Sequence, residues 1–126
     1  MIKGRTQSAD GGFRRIPVRR TQIVNEKTRL SIIDYLDKMI FQKCQFSEWV
    51  GSRDLFSRIP EDIVNTPLNV VYTLCCEKFS DDSHSIFINF SKYLGILTRE
   101  AVYSSEKAYY EVMEGSIRKY KLVSKK

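Results

Sequence analysis

The sequence predicts an all-α protein of about five helices with a disordered basic arm at its N-terminus. Two observations favour this fold class. Apolar residues recur at helical spacing in several segments, and prolines or capping residues mark the ends of those segments. Hydrophobic residues make up 42% of the 126-residue chain, which is enough for one core. We expect residues 1–24 to form a flexible arm, residues 25–121 a helical domain and residues 122–126 a basic tail.

Two helices are expected in the first half of the domain. Asn25 is a suitable N-cap for a helix over residues 26–42, in which the apolar residues follow the helical period. Ser47 or Ser52 can cap a short second helix. This helix ends before Pro60, because proline disrupts a helix interior.

The third and fourth helices follow this proline. Thr66 and Pro67 have the pattern of an N-cap and a proline at the first helical position, which predicts a helix over residues 67–79. Residues 84–94 fit a strand, since apolar residues alternate at their start, but they also fit helical spacing. Gly95 favours the helix, because glycine is common just after a helix end.

A long fifth helix is expected from residue 98 to about residue 121. Thr98 can cap this helix, and Glu100 is favourable in its first turn because of the helix dipole. A stripe of apolar and small residues continues through the segment: Ala101, Val102, Ser105, Ala108, Tyr109, Val112, Met113 and Ser116.

The order of these parts resembles the C-terminal DNA-binding domain of the bacterial replication initiator DnaA, and more widely the helix-turn-helix regulators. The matching pieces are Thr66-Pro67-Leu68-Asn69, the polar turn over residues 80–85, and Leu94-Gly95 followed by Thr98-Arg99-Glu100-Ala101-Val102. The resemblance covers about residues 64–112. It implies a helix-turn-helix in the C-terminal half of the chain, in which the helix that begins at Thr98 reads the major groove.

The formal net charge of +6 is unevenly distributed along the chain. Residues 1–29 carry +6 and the last ten residues carry +5, whereas residues 30–116 carry −5. Basic ends on an acidic body are typical of proteins that bind a polyanion. They are also common as solvated tails, so the charge pattern leaves both interpretations open.

The arm contains the most concentrated positive charge. Arg14 and Arg15 precede Pro17, and Arg19 and Arg20 follow it. Basic N-terminal arms of this kind can lie in the minor groove beside a docked helix. Two alternatives remain, namely a disordered leader and a docking segment for an acidic protein.

The face of the fifth helix opposite its apolar stripe supplies further candidate contacts. Arg99 could form two hydrogen bonds to a guanine edge, and Lys92 and Lys107 suit contacts with phosphates. Four glutamates on the same helix favour the alternative of a solvated face. The DNA-contacting residues predicted in this part of the chain are Lys92, Thr98, Arg99, Tyr103, Ser104 and Lys107.

Signals for chemistry are weak. His84 is the only histidine and lies in a polar turn, and the three cysteines lack metal-binding spacing, so we expect no metal, no cofactor and no enzyme activity. An odd cysteine count favours a reducing, intracellular compartment. No apolar run is long enough to span a membrane.

Together these features predict a small cytoplasmic regulator of transcription or replication. It would read double-stranded DNA with a helix-turn-helix and a basic arm, as a homodimer whose two helices reach successive major grooves. The alternative is a helical adaptor or inhibitor that binds an acidic protein partner through its basic ends and a Tyr-rich helix face.

Overall fold

The computed structural model describes residues 24–80, 82–115 and 117–123, and over these residues the protein combines helices with an antiparallel sheet. The all-α prediction is therefore wrong, and the fold is mixed α/β. The helices of the described part are α1 (Glu26–Lys43), α2 (Leu68–Lys78) and α3 (Ser83–Ser104). Its strands are β1 (Val50–Gly51), β2 (Tyr109–Glu114) and β3 (Ile117–Leu122), with a short 3-10 turn over Ser52–Asp54.

The first and third predicted helices are confirmed. Asn25 caps α1, because its side-chain oxygen accepts a hydrogen bond of 2.8 Å from the amide of Thr28. The hydroxyl of Thr66 accepts a bond of 3.2 Å from the amide of Leu68 at the start of α2. The short second helix is wrong, since β1 and the 3-10 turn occupy that segment. There the amide of Gly51 donates to the carboxylate of Asp54 at 2.8 Å.

α3 runs without a break through Gly95. Residues 84–94 are therefore helical, and a separate helix that begins at Thr98 is wrong. The buried side chains of Leu94 and Leu97 keep the helical spacing across the glycine, and one interior glycine costs only about 1 kcal/mol relative to alanine. Thr98 does not cap a helix, because its hydroxyl donates to the carbonyl of Leu94 at 2.7 Å inside α3.

The long fifth helix is also wrong beyond residue 104, where the chain forms a hairpin. β2 pairs with β3 from Tyr109 opposite Leu122 to Glu114 opposite Ile117. Gly115 is the first of the two loop residues and has a positive φ of 63°, which the tight turns of two-residue hairpins require. The apolar residues of this segment thus alternate across a sheet and do not continue one helical stripe.

β3 is the central strand of the sheet, with β1 on its other edge. Val50 of β1 pairs with Tyr120 of β3 in antiparallel register. The core lies between this sheet, α1 and α3, and its fully buried side chains include Ile32, Leu36 and Ile40 of α1. α2 packs on α3 in part through an edge-to-face contact between the rings of Tyr72 and Phe90, with centroids 5.5 Å apart.

A buried ion pair also joins α1 to α3. The guanidinium of Arg29 donates to the carboxylate of Glu100 at 2.6 Å, and the two side chains are only 9% and 12% exposed. Arg29 also binds Glu26 on its own helix at 2.7 Å. Hydrogen bonding to Glu26 raises the pKa of Arg29, so the guanidinium stays charged.

Candidate nucleic-acid interface

An open groove of ≈ 440 Å³ lies between α3 and the β2–β3 hairpin, and residues of the 3-10 turn also line it. We call it the α3–hairpin groove. Its lining residues come from the 3-10 turn, α3, β2 and β3: Ser52, Arg53, Phe87, Ile88, Ser91, Lys92, Gly95, Ile96, Thr98, Arg99, Met113, Ile117, Arg118 and Tyr120.

α3 has a capped start, and one stripe of this helix lies along the groove. The carboxylate of Asp82 accepts hydrogen bonds from the amides of His84 and Ser85, at 3.0 and 3.3 Å. The hydrogen bonds from Ser85 lower the pKa of Asp82, so the cap is charged at neutral pH. Residues four apart in a helix share a face. Phe87 and Ser91 therefore follow one another along the groove.

A buried ionic cluster beside the groove ties α3 to the hairpin. The carboxylate of Glu111 accepts a hydrogen bond from the hydroxyl of Tyr103 at 2.8 Å and forms an ion pair with Arg118. Arg99 lies 4.0 Å from the same carboxylate and stacks on the Tyr103 ring, with 5.1 Å between the guanidinium carbon and the ring centroid. Burial raises the pKa of Tyr103, which keeps the hydroxyl protonated as a donor. Two guanidinium groups thus share one carboxylate, which leaves positive charge at the groove.

The groove is more basic than the rest of the described chain. Residues 24–80, 82–115 and 117–123 contain thirteen Lys and Arg and thirteen Asp and Glu. Four of those cations line the groove, whereas none of the described lining residues is Asp or Glu. Arg53 and Lys92 at its edges are exposed, and within the described residues neither is part of an ion pair. A net positive charge therefore remains along the groove even when Glu111 is counted with Arg99 and Arg118.

The structure brings only some of the predicted contact residues together. Lys92 and Arg99 line the groove, and Tyr103 belongs to the ionic cluster. Thr98 is buried and bonded inside α3, so its hydroxyl is not available to a ligand. The face predicted for one long helix does not exist, because that helix ends at Ser104.

The remaining predicted residues lie elsewhere. Ser104 is the exposed last residue of α3, outside the groove. The ammonium of Lys107 lies 4.7 Å from the centroid of the Phe41 ring on α1. The four arm arginines, Arg14, Arg15, Arg19 and Arg20, precede the described residues.

Sequence reasoning missed several groove residues. Phe87 and Ile88 are 54% and 49% exposed, and Met113 on the hairpin is 46% exposed. The signal for the hairpin was present, since a Glu-Gly-Ser turn lies between two segments rich in aromatic and β-branched residues. Arg53 and Arg118 carry no local motif, and only the fold brings them to α3.

The described residues show neither a metal-binding cluster nor a membrane-spanning helix. In the described residues, no group of three or more His, Cys, Asp or Glu is arranged to hold a metal ion. No helix of the same part has the length and apolar character needed to cross a bilayer. Comparisons with protein-family models, curated proteins and solved structures found no match.

Proposed function

We propose that this protein binds double-stranded DNA through the first half of α3 and the β2–β3 hairpin, with the basic arm as a second contact. The observation that carries this proposal is the exposed stripe of α3, set beside a hairpin in a groove with four cations and no lining carboxylate among the described residues. The major groove of B-DNA admits either an α-helix or a two-stranded ribbon. Both kinds of element border this groove.

The connection between α2 and α3 supports the same assignment. α2 ends at Lys78 and α3 begins at Ser83, so four residues separate them, which is the connection length of a helix-turn-helix unit. In such a unit the N-terminal residues of the second helix contact the base edges. We therefore assign DNA reading to the part of α3 that begins near Ser83. This assignment replaces the predicted reading helix that starts at Thr98.

Electrostatics assigns different tasks to the groove and the arm. The described body has equal numbers of basic and acidic residues, so its groove provides only a local attraction for phosphate. The net charge of +6 lies outside this body. We therefore assign most of the salt-dependent affinity to the terminal segments, since counterion release scales with the number of neutralised phosphates. A cytoplasmic location, a homodimer and a role in transcription or replication are parts of this proposal.

Binding of the full chain to mixed duplex fragments over a salt series tests the proposal. We expect binding at about 50 mM salt that weakens steeply as salt increases. The variant Arg53→Ala/Lys92→Ala should bind more weakly and lower the slope of log K against log salt by about 2, one for each phosphate contact. Lys38→Ala is the matched control, because Lys38 is an exposed lysine of α1 in a surface ion pair with Asp34. It should bind like the wild type.

A second candidate is recognition of an acidic protein. The exposed side chains of Phe87, Ile88 and Met113 in the groove favour it, because apolar and basic groups together suit an acidic amphipathic segment. An absence of duplex binding by the wild type at about 50 mM salt would exclude the DNA proposal and leave this candidate. Equal binding by Arg53→Ala/Lys92→Ala and Lys38→Ala would remove the groove from DNA recognition.

A further inference from the structure

We propose that Phe87 and Ile88 read the 5-methyl groups of thymine, so that the preferred sites of this protein are rich in thymine at the positions that α3 contacts. The inference rests on the proposed function and names the bases that the groove selects. The fold leaves these two large apolar side chains about half exposed, Phe87 at 54% and Ile88 at 49%, on the stripe of α3 that borders the groove.

Their position in α3 is the position from which bases are read. Phe87 and Ile88 are the fifth and sixth residues of the helix, in its second turn. In helix-turn-helix units the N-terminal part of the second helix reaches the base edges, while residues farther along contact the backbone. Lys92, one turn later on the same stripe, is placed for a phosphate. Lys92 therefore places positive charge beside the apolar pair.

Two polar side chains of α3 that could read adenine or guanine make contacts within the protein. Asparagine can read adenine, but the side-chain amide of Asn89 donates to the carbonyl of Ser85 at 2.9 Å. Arginine can read guanine, but Arg99 is stacked on Tyr103 beside the Glu111 carboxylate. The base-edge contact left to Phe87 and Ile88 is apolar. In the major groove the apolar feature of a base edge is the thymine methyl.

Substitution of uracil for thymine tests the inference, because the two bases differ only in that methyl group. A preferred site is first selected with the full-length protein from random duplexes. It is then made with thymine or with uracil at each T position in turn. We expect uracil to weaken wild-type binding about fourfold at each contacted position, as for the loss of one buried methyl-sized group.

Two variants link this effect to the two side chains. In Phe87→Ala and Ile88→Ala the thymine-to-uracil ratio should fall to about 1 at the contacted positions, because the apolar partner of the methyl is removed. Leu30→Ala is the matched control: Leu30 is 52% exposed on α1, outside the groove. It should keep the wild-type ratio. Circular dichroism and urea unfolding of each variant establish that the fold is retained.

The failures of the inference and of the proposed function are distinguishable. Selection of a preferred site at which uracil binds like thymine overturns the inference but leaves DNA binding intact. The same holds if the uracil effect persists in both alanine variants, or if the selected sites lack thymine. Absence of any duplex binding at about 50 mM salt overturns both.

Discussion

Replacement of Gly95 by alanine tests whether α3 is continuous, which is the feature that places Phe87, Ile88 and Lys92 on one helix. A glycine in a helix interior is less favourable than alanine by about 1 kcal/mol, because it loses more backbone freedom on folding. The structure shows room for the methyl group, since the nearest atom to an added Cβ is the Ser52 hydroxyl at 3.9 Å. We therefore expect Gly95→Ala to raise the free energy of unfolding by about 1 kcal/mol. For a domain of this size that corresponds to a rise in Tm of about 4–8 °C.

Gly115→Ala is the matched control, because it makes the same chemical change in a different backbone conformation. Gly115 has a φ of +63°, and nothing lies within 4 Å of an added Cβ. Steric collision therefore plays no part, and the whole effect comes from the left-handed backbone, which costs about 1–2 kcal/mol for a residue with a Cβ. We expect destabilisation of about 1 kcal/mol. Urea unfolding followed by circular dichroism measures both variants, with unchanged m-values as evidence that the same cooperative unit unfolds.

The sign of the Gly95 effect decides between two structures. If Gly95 ended one helix in a left-handed conformation, as the sequence pattern predicts, alanine would destabilise the protein as it does at Gly115. Destabilisation by Gly95→Ala would refute the continuous helix and the groove built on it. If Gly115→Ala destabilises the protein and Gly95→Ala does not, the continuous helix and the groove are both supported.

Two further predictions concern the ends of the helices. Arg29→Met should lower the free energy of unfolding by about 3 kcal/mol in urea titrations, because it leaves the buried carboxylate of Glu100 uncompensated. The double variant Arg29→Met/Glu100→Leu should recover a large part of that loss. A double variant no more stable than Arg29→Met would contradict the role of the ion pair. Asp82→Ala should destabilise α3 at neutral pH. Because hydrogen bonds lower the pKa of Asp82 in the folded state, its contribution is present above the unfolded pKa and is lost as the pH falls below about 4. Thermal unfolding at pH 7 and near pH 2 should show the difference between wild type and variant shrink, and a constant difference would exclude the charged cap.

Local signals predicted the elements whose ends depend on local hydrogen bonds. The Asn25 cap and the Thr66-Pro67 pair locate the starts of α1 and α2 to within one residue. Burial of Ile33, Leu36 and Ile40 also follows the predicted helical spacing. In these segments the local preference and the tertiary fold agree.

The errors arose where two local patterns competed and tertiary contacts decided between them. The glycine and threonine at positions 95 and 98 have the form of a helix end and a cap, but burial of Leu94 and Leu97 in one core continues the helix. Beyond Ser105, helical spacing and strand alternation coincide over a few residues. Pairing of β3 with β1 as well as with β2 selects the sheet, and β1 lies about seventy residues away in the sequence. No window of local sequence contains that information.

If the arm supplies salt-dependent affinity and the groove supplies base preference, then affinity and sequence preference can be changed separately. Alanine at Arg14, Arg15, Arg19 and Arg20 should lower the slope of log K against log salt by about 3 to 4, if each arginine neutralises one phosphate. The thymine-to-uracil ratio should remain, because methyl contact involves no counterion. Phe87→Ala should show the reverse, with the salt slope kept and the ratio lost. If the arm variant lost the ratio, or the Phe87 variant lost the slope, the two contacts would not be independent.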